Sequence, residues 1–135
     1  MIMKPKLPLM TARFIVTAMK FDPHKCTKLF ELEPTEVQTK GEIKPKWKRP
    51  VQYSSWSMET KLARFDSTDA VLQLLLDVIW PKRKQIRNFS TKNKLEVQFL
   101  LDISGAGERN FLYDFSPRTI GQIRYFRAPL FLDVY

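Results

Sequence analysis

The order of the predicted elements indicates an α+β domain in which helices cover one face of a mainly antiparallel sheet. Residues 95–103 alternate between apolar and mostly polar side chains, and residues 12–19 are rich in branched and aromatic ones. Both patterns are typical of strands. Asp22-Pro23 and Ser116-Pro117 each join a capping residue to a proline suited to the first helical turn. The first six elements follow the split βαβ ferredoxin-like order, βαββαβ, and a helix and a strand extend it.

In the first half of the chain, the strand at 12–19 is followed by a short helix. This helix is predicted to end at Glu33-Pro34, because a residue before proline avoids the helical conformation. Residues 35–50 are polar and broken by prolines, and two interpretations stay open: a ragged strand followed by a long loop, or a loop throughout. A clearer strand is predicted at 51–61.

In the second half, residues 70–80 are apolar nearly all round. This predicts a helix buried on most of its surface, against the sheet. Either Asp66 or Ser67 can cap it, and Pro81 is expected to kink or restart it. After the strand at 95–103 come the helix that begins at Ser116-Pro117 and a final strand, LFLDVY.

Length and composition predict one domain over residues 1–135 with a substantial core. The chain has 135 residues, of which 44% are hydrophobic and 13% aromatic, so it is not a disordered tail. The run of about 18 apolar residues needed to cross a membrane is missing. Polar and proline residues interrupt the apolar amino-terminal stretch, which does not match a secretory signal. We therefore expect a cytoplasmic protein that has no membrane partner.

Basic charge is the strongest indication of what the protein binds. The formal net charge is +9 and the pI about 9.8, which favours polyanions or acidic protein faces as partners. Two clusters hold much of this charge. The first surrounds Trp47 and consists of Lys40, Lys44, Lys46, Lys48 and Arg49. The second contains Phe89 and consists of Lys82, Arg83, Lys84, Arg87, Lys92 and Lys94.

The candidate partner-binding residues come from these two clusters. They are Lys44, Lys46, Trp47, Lys48, Arg49, Arg83, Lys84 and Arg87. Cations with interleaved aromatic residues suit single-stranded nucleic acid, although neither cluster forms a known nucleic-acid motif. They equally suit a protein partner, because tryptophan and arginine are common interface anchors. The structural alternatives are a solvated helix face for the second cluster and a Trp47 side chain that packs back into the core.

Catalytic and metal-binding chemistry is not indicated. His24 and Cys26 are the only histidine and cysteine, and their spacing of two directs them to different sides of a helix. We therefore expect no zinc site, no disulfide and no cofactor. No phosphate-binding glycine motif occurs. The acids Glu59, Glu96, Asp102, Asp114 and Asp133 lie on separate elements, and nothing in the sequence selects two of them as an acid/base pair.

Four short motifs follow one another in a fixed order along the chain: LFELEP, KGE, SSWSMET and a final LDVY. Together with the start of the first helix, they contain Pro23, Leu29, Pro34, Gly41, Glu42, Trp56, Asp133 and Tyr135. In this order and spacing the chain resembles a family of small bacterial proteins that is known only as the domain of unknown function numbered forty-two seventy-nine. The resemblance implies a single cytoplasmic α+β domain with no established activity. Similar small bacterial proteins serve as immunity partners of toxins, which suggests a stoichiometric binder.

Three functional hypotheses follow. The first is a non-enzymatic protein that neutralises a toxin domain by binding its acidic face through the open sheet face and the loop at 44–49. The second is an RNA or single-stranded DNA binder that uses the same two clusters. The third is an enzyme with an acid/base pair on the sheet, which we expect least. The oligomeric state stays open between a monomer and a homodimer, since the last strand can pair with its own copy at a sheet edge.

Overall fold

A computed structural model describes residues 7–43, 50–105 and 113–135. It contains six strands: β1 (Leu9–Ala18), β2 (Glu36–Gln38), β3 (Ser54–Glu59), β4 (Ala63–Arg64), β5 (Glu96–Ser104) and β6 (Leu130–Val134). It contains four α-helices: α1 (Pro23–Phe30), α2 (Thr68–Ile79), α3 (Arg83–Lys92) and α4 (Pro117–Tyr125). A 3-10 turn, Trp80–Lys82, joins α2 to α3. No helix within the described ranges is long and apolar enough to cross a membrane.

The sheet has the strand order β2-β3-β1-β5-β6, and β4 pairs separately with β1. β1 is antiparallel to both β3 and β5, and β2 is antiparallel to β3. This arrangement confirms the α+β class with a mainly antiparallel sheet. The extension through α4 adds β6 parallel to β5, as expected when a helix crosses over between neighbouring strands. Of the two interpretations of residues 35–50, the structure supports the short strand, β2.

Side-chain caps begin three helices where the sequence predicts. Asp22 Oδ1 accepts a hydrogen bond from His24 N at 3.0 Å. Ser116 Oγ accepts one from Thr119 N at 3.2 Å. At the start of α2 the cap is Ser67, whose Oγ accepts from Ala70 N at 3.2 Å. Each cap satisfies one of the unpaired amide groups of the first turn.

The core lies between the sheet and the helices and is centred on aromatic rings. The register places Phe14 of β1 between β3 and β5. Its ring centroid lies 5.3 Å from that of Phe99 and 6.2 Å from that of Trp56. Trp56 is fully buried and its Nε1 donates to Thr27 Oγ1 at 3.0 Å. The partner for the indole N–H keeps the burial of this large side chain favourable.

Helix α2 is less enclosed than its sequence predicts. Val71, Leu75 and Ile79 are buried against the sheet. Leu74 and Val78, however, are 52% and 46% exposed. The prediction of a helix buried on most of its surface is therefore wrong for this outer face, where no described element covers the two side chains.

Hydrogen bonds between polar side chains and backbone connect the start of α2 to the start of α4. Ser116 N donates to Asp69 Oδ1 at 2.8 Å, and Ser67 Oγ donates to the Asp114 carboxylate at 3.0 Å. Partial burial alone would raise the pKa of Asp69. Hydrogen bonds from Thr119 and Ser116, with the charge of Arg118, outweigh that effect and hold its pKa below the usual value. The ionised form of Asp69 is thus the one that stabilises this connection between α2 and α4.

We expect Trp56→Ala to lower the free energy of unfolding by about 3–5 kcal/mol, because it leaves a cavity in the core and removes a buried ring. Leu74→Ala, at the exposed position on α2, should change it by less than about 0.5 kcal/mol. Urea denaturation followed by circular dichroism measures both. Equal losses for the two variants would contradict the placement of the core.

We expect Asp69→Asn to cost about 1 kcal/mol at neutral pH, because it removes a charge-assisted acceptor. Since the folded pKa is depressed, the contribution of Asp69 is full above the unfolded pKa, for which 3.8 is the reference. It is lost as the pH falls through the lower folded value. The wild-type and variant stabilities should therefore begin to converge as the pH falls below about 4, and should meet below the folded pKa. Asp77→Asn on the same helix is the control, and a pH-independent difference at Asp69 would count against the assignment.

Candidate functional site

The first basic cluster lies almost wholly outside the described residues. This holds for Lys44, Lys46, Trp47, Lys48 and Arg49. The structure does describe the base of their loop. Gly41 N donates to Val51 O at 2.9 Å, and Val51 N donates to Glu42 O at 2.8 Å. Gly41 has a φ of 91°, which favours glycine there.

The second cluster lies on and beside α3, where stacking positions two of its arginines. Arg83 and Arg87 are four residues apart and so share one face of the helix. The Arg83 guanidinium lies 4.6 Å from the centroid of Trp80, and Arg83 Nη1 donates to Trp80 O at 3.1 Å. The Arg87 guanidinium lies 4.9 Å from the centroid of Tyr125. Lys84 is exposed and shares neither arrangement.

Aromatic packing joins these arginines to α4. The rings of Trp80 and Tyr125 meet edge-on at 5.3 Å, and Trp80 meets Phe126 at 6.1 Å. Cation–π stacking on such rings limits the freedom of each guanidinium. Arg87 is therefore held at the junction between α3 and α4.

A groove of about 790 Å³ opens at this junction, and we call it the basic groove. Its apolar lining includes Phe115, Ile120, Ile123, Ala128 and Leu130, and its cations are Arg87, Arg124 and Arg127. Two smaller hollows of about 480 and 340 Å³ adjoin it and also include Arg87 and Arg127. The first of these contains Ser90, whose buried hydroxyl has no described hydrogen-bond partner.

The two segments that form the basic groove carry only positive charges of their own, although Glu31 pairs with Lys82 at 3.3 Å and Glu96 lines one adjoining hollow. Residues 80–94 contain six cations and residues 115–132 contain three, and neither range contains an acid. Arg118 at one end pairs with Asp77 at 3.6 Å. Among the described residues, no acid forms a salt bridge with Arg87, Arg124 or Arg127. Lys92 and Arg124 lie in the last turns of α3 and α4, where cations also complement the helix dipole.

The pattern of the sequence did not single out Arg124 and Arg127 as site residues. The sequence does show arginines around the apolar face of α4, which could have indicated a basic site. It does not show that α4 packs beside α3. The two helices meet through the edge-on contacts of Trp80 with Tyr125 and Phe126, and through Arg87, which lies over the Tyr125 ring. Of the predicted partner-binding residues that the structure describes, Arg87 lines the basic groove, whereas Arg83 and Lys84 do not.

The open face of the sheet is acidic. The register directs five carboxylates to it, from Glu36, Glu59, Glu96, Asp102 and Asp133. Arg13 on the same face forms a salt bridge with Glu59 at 2.7 Å. A hollow of about 540 Å³ on this face is lined by Arg13, Glu36, Glu96 and Lys94, among others. Arg64 also lies on this face, opposite Leu9. The described part of the face still carries more carboxylates than cations, which does not favour an acidic partner there.

Two of these carboxylates lie side by side on β5 and β6, at paired positions of the register. Burial, Asp133 and Glu59 raise the pKa of Asp102, while Arg13 opposes the rise. A side-chain hydrogen bond with Asp133 also contributes. Neither Asp102 nor Asp133 lines any of the four hollows described above.

Most of the residues that carry the family resemblance have a role in the fold, in a helix start, a turn, the core or the strand ladder. Pro23 is buried in the first turn of α1, and Pro34 is half-buried just before β2. Glu42 Oε2 accepts from Thr39 N at 3.1 Å in the turn that contains Gly41. Trp56 lies in the core, and Tyr135 N continues the β6 ladder by donating to Ile103 O at 2.9 Å.

Cys26 and His24 do not form a reactive pair. Cys26 is fully buried and His24 is exposed. Burial raises the pKa of the Cys26 thiol to about 12, and the nearby charge of Asp22 adds to the rise. Within the described ranges, no group of three or more metal-binding side chains comes together.

The fold and the site together define a small α+β domain with a basic helical side and an acidic sheet face. The chain belongs to the family described as Domain of unknown function (DUF4279), which matches residues 8–135. No curated protein and no solved structure matches the chain.

We expect Cys26 to react with a thiol reagent at pH 8 at least about a hundredfold more slowly in the native protein than after unfolding, because thiolate is scarce and access is blocked. Release of the coloured product of a disulfide reagent measures the rate. Leu74→Cys adds an exposed thiol as the control and should react at once. Equal native reactivity of the two thiols would contradict the burial of Cys26.

Proposed function

We propose that the protein is a non-enzymatic binding protein whose basic groove holds an acidic, partly apolar segment of a partner protein. The single observation that carries the proposal is the combination of an apolar lining with Arg87, Arg124 and Arg127 in one groove. A segment with carboxylates beside leucine or phenylalanine side chains matches both properties. Apolar burial would supply affinity, and the arginines would supply orientation and a faster encounter.

The lining favours a protein over a nucleic acid. Single-stranded nucleic acid is usually held by aromatic faces on which bases stack. In the basic groove, Arg87 covers one face of Tyr125, and much of the remaining apolar surface is aliphatic. Aliphatic side chains suit the apolar residues of a peptide better than they suit bases.

The separation of charge supports an oriented complex. The acidic sheet face would repel an acidic partner, whereas the helical side would attract it. Such a distribution steers encounter toward one side of the molecule. The loop at 44–49 lies outside the described residues. We expect its cations to add to the attraction of an acidic partner.

A toxin domain is the partner class that similar small bacterial immunity proteins suggest, and we propose it for this chain. Stoichiometric neutralisation requires a binding surface and no catalytic pocket. A large secreted toxin encoded beside the gene would support the proposal.

Co-purification from the cells that make the protein tests the proposal. We expect the wild type to retain one acidic protein in a fixed ratio. The triple variant Arg87→Glu, Arg124→Glu, Arg127→Glu should retain at least about tenfold less of it, because it reverses the charge of the groove. Quantitative mass spectrometry of the eluted complex measures the ratio.

The matched control is Lys20→Glu, Lys25→Glu, Lys61→Glu, which changes the net charge equally at exposed positions away from the groove. It should retain the partner as the wild type does. Equal loss in both triple variants would show that net charge alone governs binding. Recovery of nucleic acid without a protein partner, with an affinity that falls steeply as salt is added, would favour the RNA or DNA hypothesis instead.

A further inference from the structure

The outer edge of β6 exposes apolar side chains on both faces of the sheet. Phe131 is 51% exposed, Leu132 and Val134 are each 46% exposed, and Tyr135 is 72% exposed. No strand in the described part of the chain pairs with this edge. A long apolar edge strand presents unpaired backbone groups next to apolar surface, which favours association with another strand.

The hydrogen bonds to β5 show which residues of β6 direct their backbone outward. Phe99 N donates to Pro129 O at 3.0 Å, and Gly105 N donates to Tyr135 O at 3.0 Å. Alternate residues of a strand direct their N–H and C=O groups to opposite edges. Residues 129, 131, 133 and 135 therefore pair with β5. Leu130, Leu132 and Val134 direct their backbone groups to the open edge.

The two ends of the sheet differ in how well they resist association. The opposite edge strand, β2, has only three residues, of which Glu36 and Gln38 are polar. Short edge strands with charged residues are protected against pairing. β6 has five residues, contains neither lysine nor proline, and carries Asp133 as its one charge.

We propose that β6 pairs antiparallel with β6 of a second copy of this chain, about a two-fold axis at Leu132. In this register Leu132 faces Leu132 of the second copy, and Leu130 faces Val134. All three outward residues of each strand then form hydrogen-bonded pairs. The sheet becomes continuous across the two copies.

Charge and hydrogen-bond number select this register. An axis at Leu132 sets Asp133 opposite Phe131 of the second copy. An axis at Asp133 would instead set two carboxylates directly opposite, with Cα atoms about 4.5 Å apart, which is destabilising. An axis at Phe131 would pair only two of the three outward residues. Of these three registers, only the one about Leu132 places all three outward residues in hydrogen-bonded pairs and keeps the two Asp133 carboxylates apart.

The dimer would present its basic grooves together. Neighbouring antiparallel strands of one sheet are related by an axis perpendicular to it, so the helices of both copies lie on the same side. Self-association uses the backbone edge of β6 and does not rest on the proposed function. A dimer that binds no acidic partner would support self-association and contradict the proposed function. A monomer that binds an acidic partner would do the reverse.

Cysteine cross-linking tests the register. We expect Leu132→Cys to be joined to its own copy by the shortest bismaleimide, because paired Cα atoms lie about 5.5 Å apart. Val134→Cys is equally exposed, but its two copies would lie about 14 Å apart along the strands and should cross-link at least about tenfold less. Native Cys26 is buried and does not interfere. Equal cross-linking of both variants would overturn the register.

Sedimentation equilibrium tests the dimer itself. We expect the wild type to dimerise and Leu132→Pro to raise the dissociation constant at least about tenfold, since it removes an outward N–H from each copy. The ladder to β5 does not use that N–H. Leu132→Lys should act similarly by placing two like charges on the axis, whereas Leu74→Lys, at an exposed leucine of α2, should not. A wild type that stays monomeric at every soluble concentration would refute the proposal.

Discussion

The double pairing of β1 is the constraint on which the rest of the structure depends. β1 is antiparallel to β3 on one side and to β5 on the other, and its side chains alternate between the two faces of the sheet. Met10, Ala12, Phe14 and Val16 face the helices and are fully buried. A shift of one residue in either pairing would turn this whole set toward the open face. The aromatic contacts of Phe14 with Trp56 and Phe99 oppose such a shift.

The same alternation separates the charges of the molecule. Because the apolar residues of β1, β3 and β5 must face the helices, their polar neighbours face the other way, and most of these on β3 and β5 are acidic or uncharged. The cations of α3 and α4 lie on the helical side, where Trp80 and Tyr125 position Arg83 and Arg87. A basic chain thus has an acidic face, which its net charge of +9 does not suggest.

Local patterns were sufficient to predict most elements of the fold. Caps such as Ser116-Pro117 act within one turn, and the alternation of residues 95–103 is a property of one strand. The two-residue strand β4 was missed, because its pairing with β1 depends on a distant segment. The parallel direction of β6 was also not predicted. The exposed outer face of α2 was mispredicted, since apolar composition does not reveal whether another layer covers a helix.

The site was harder to predict than the fold, because it depends on contacts between elements far apart in sequence. The cluster at Arg83 and Arg87 is visible in the sequence, whereas the contribution of Arg124 and Arg127 requires the packing of α4 on Trp80. The acidic character of the open face likewise requires the register of five strands. Six residues of the first cluster's loop, 44–49, lie outside the described ranges, and their role stays a prediction.

Amide hydrogen exchange followed by NMR tests the central constraint most directly. If β1 pairs on both sides, the amides of its middle, from Phe14 to Val16, should exchange only through global unfolding. The amides of β2, paired on one side, should exchange faster through local opening. Exchange of the β1 amides as fast as those of β2 would contradict the central position of β1, and with it the separation of the two faces.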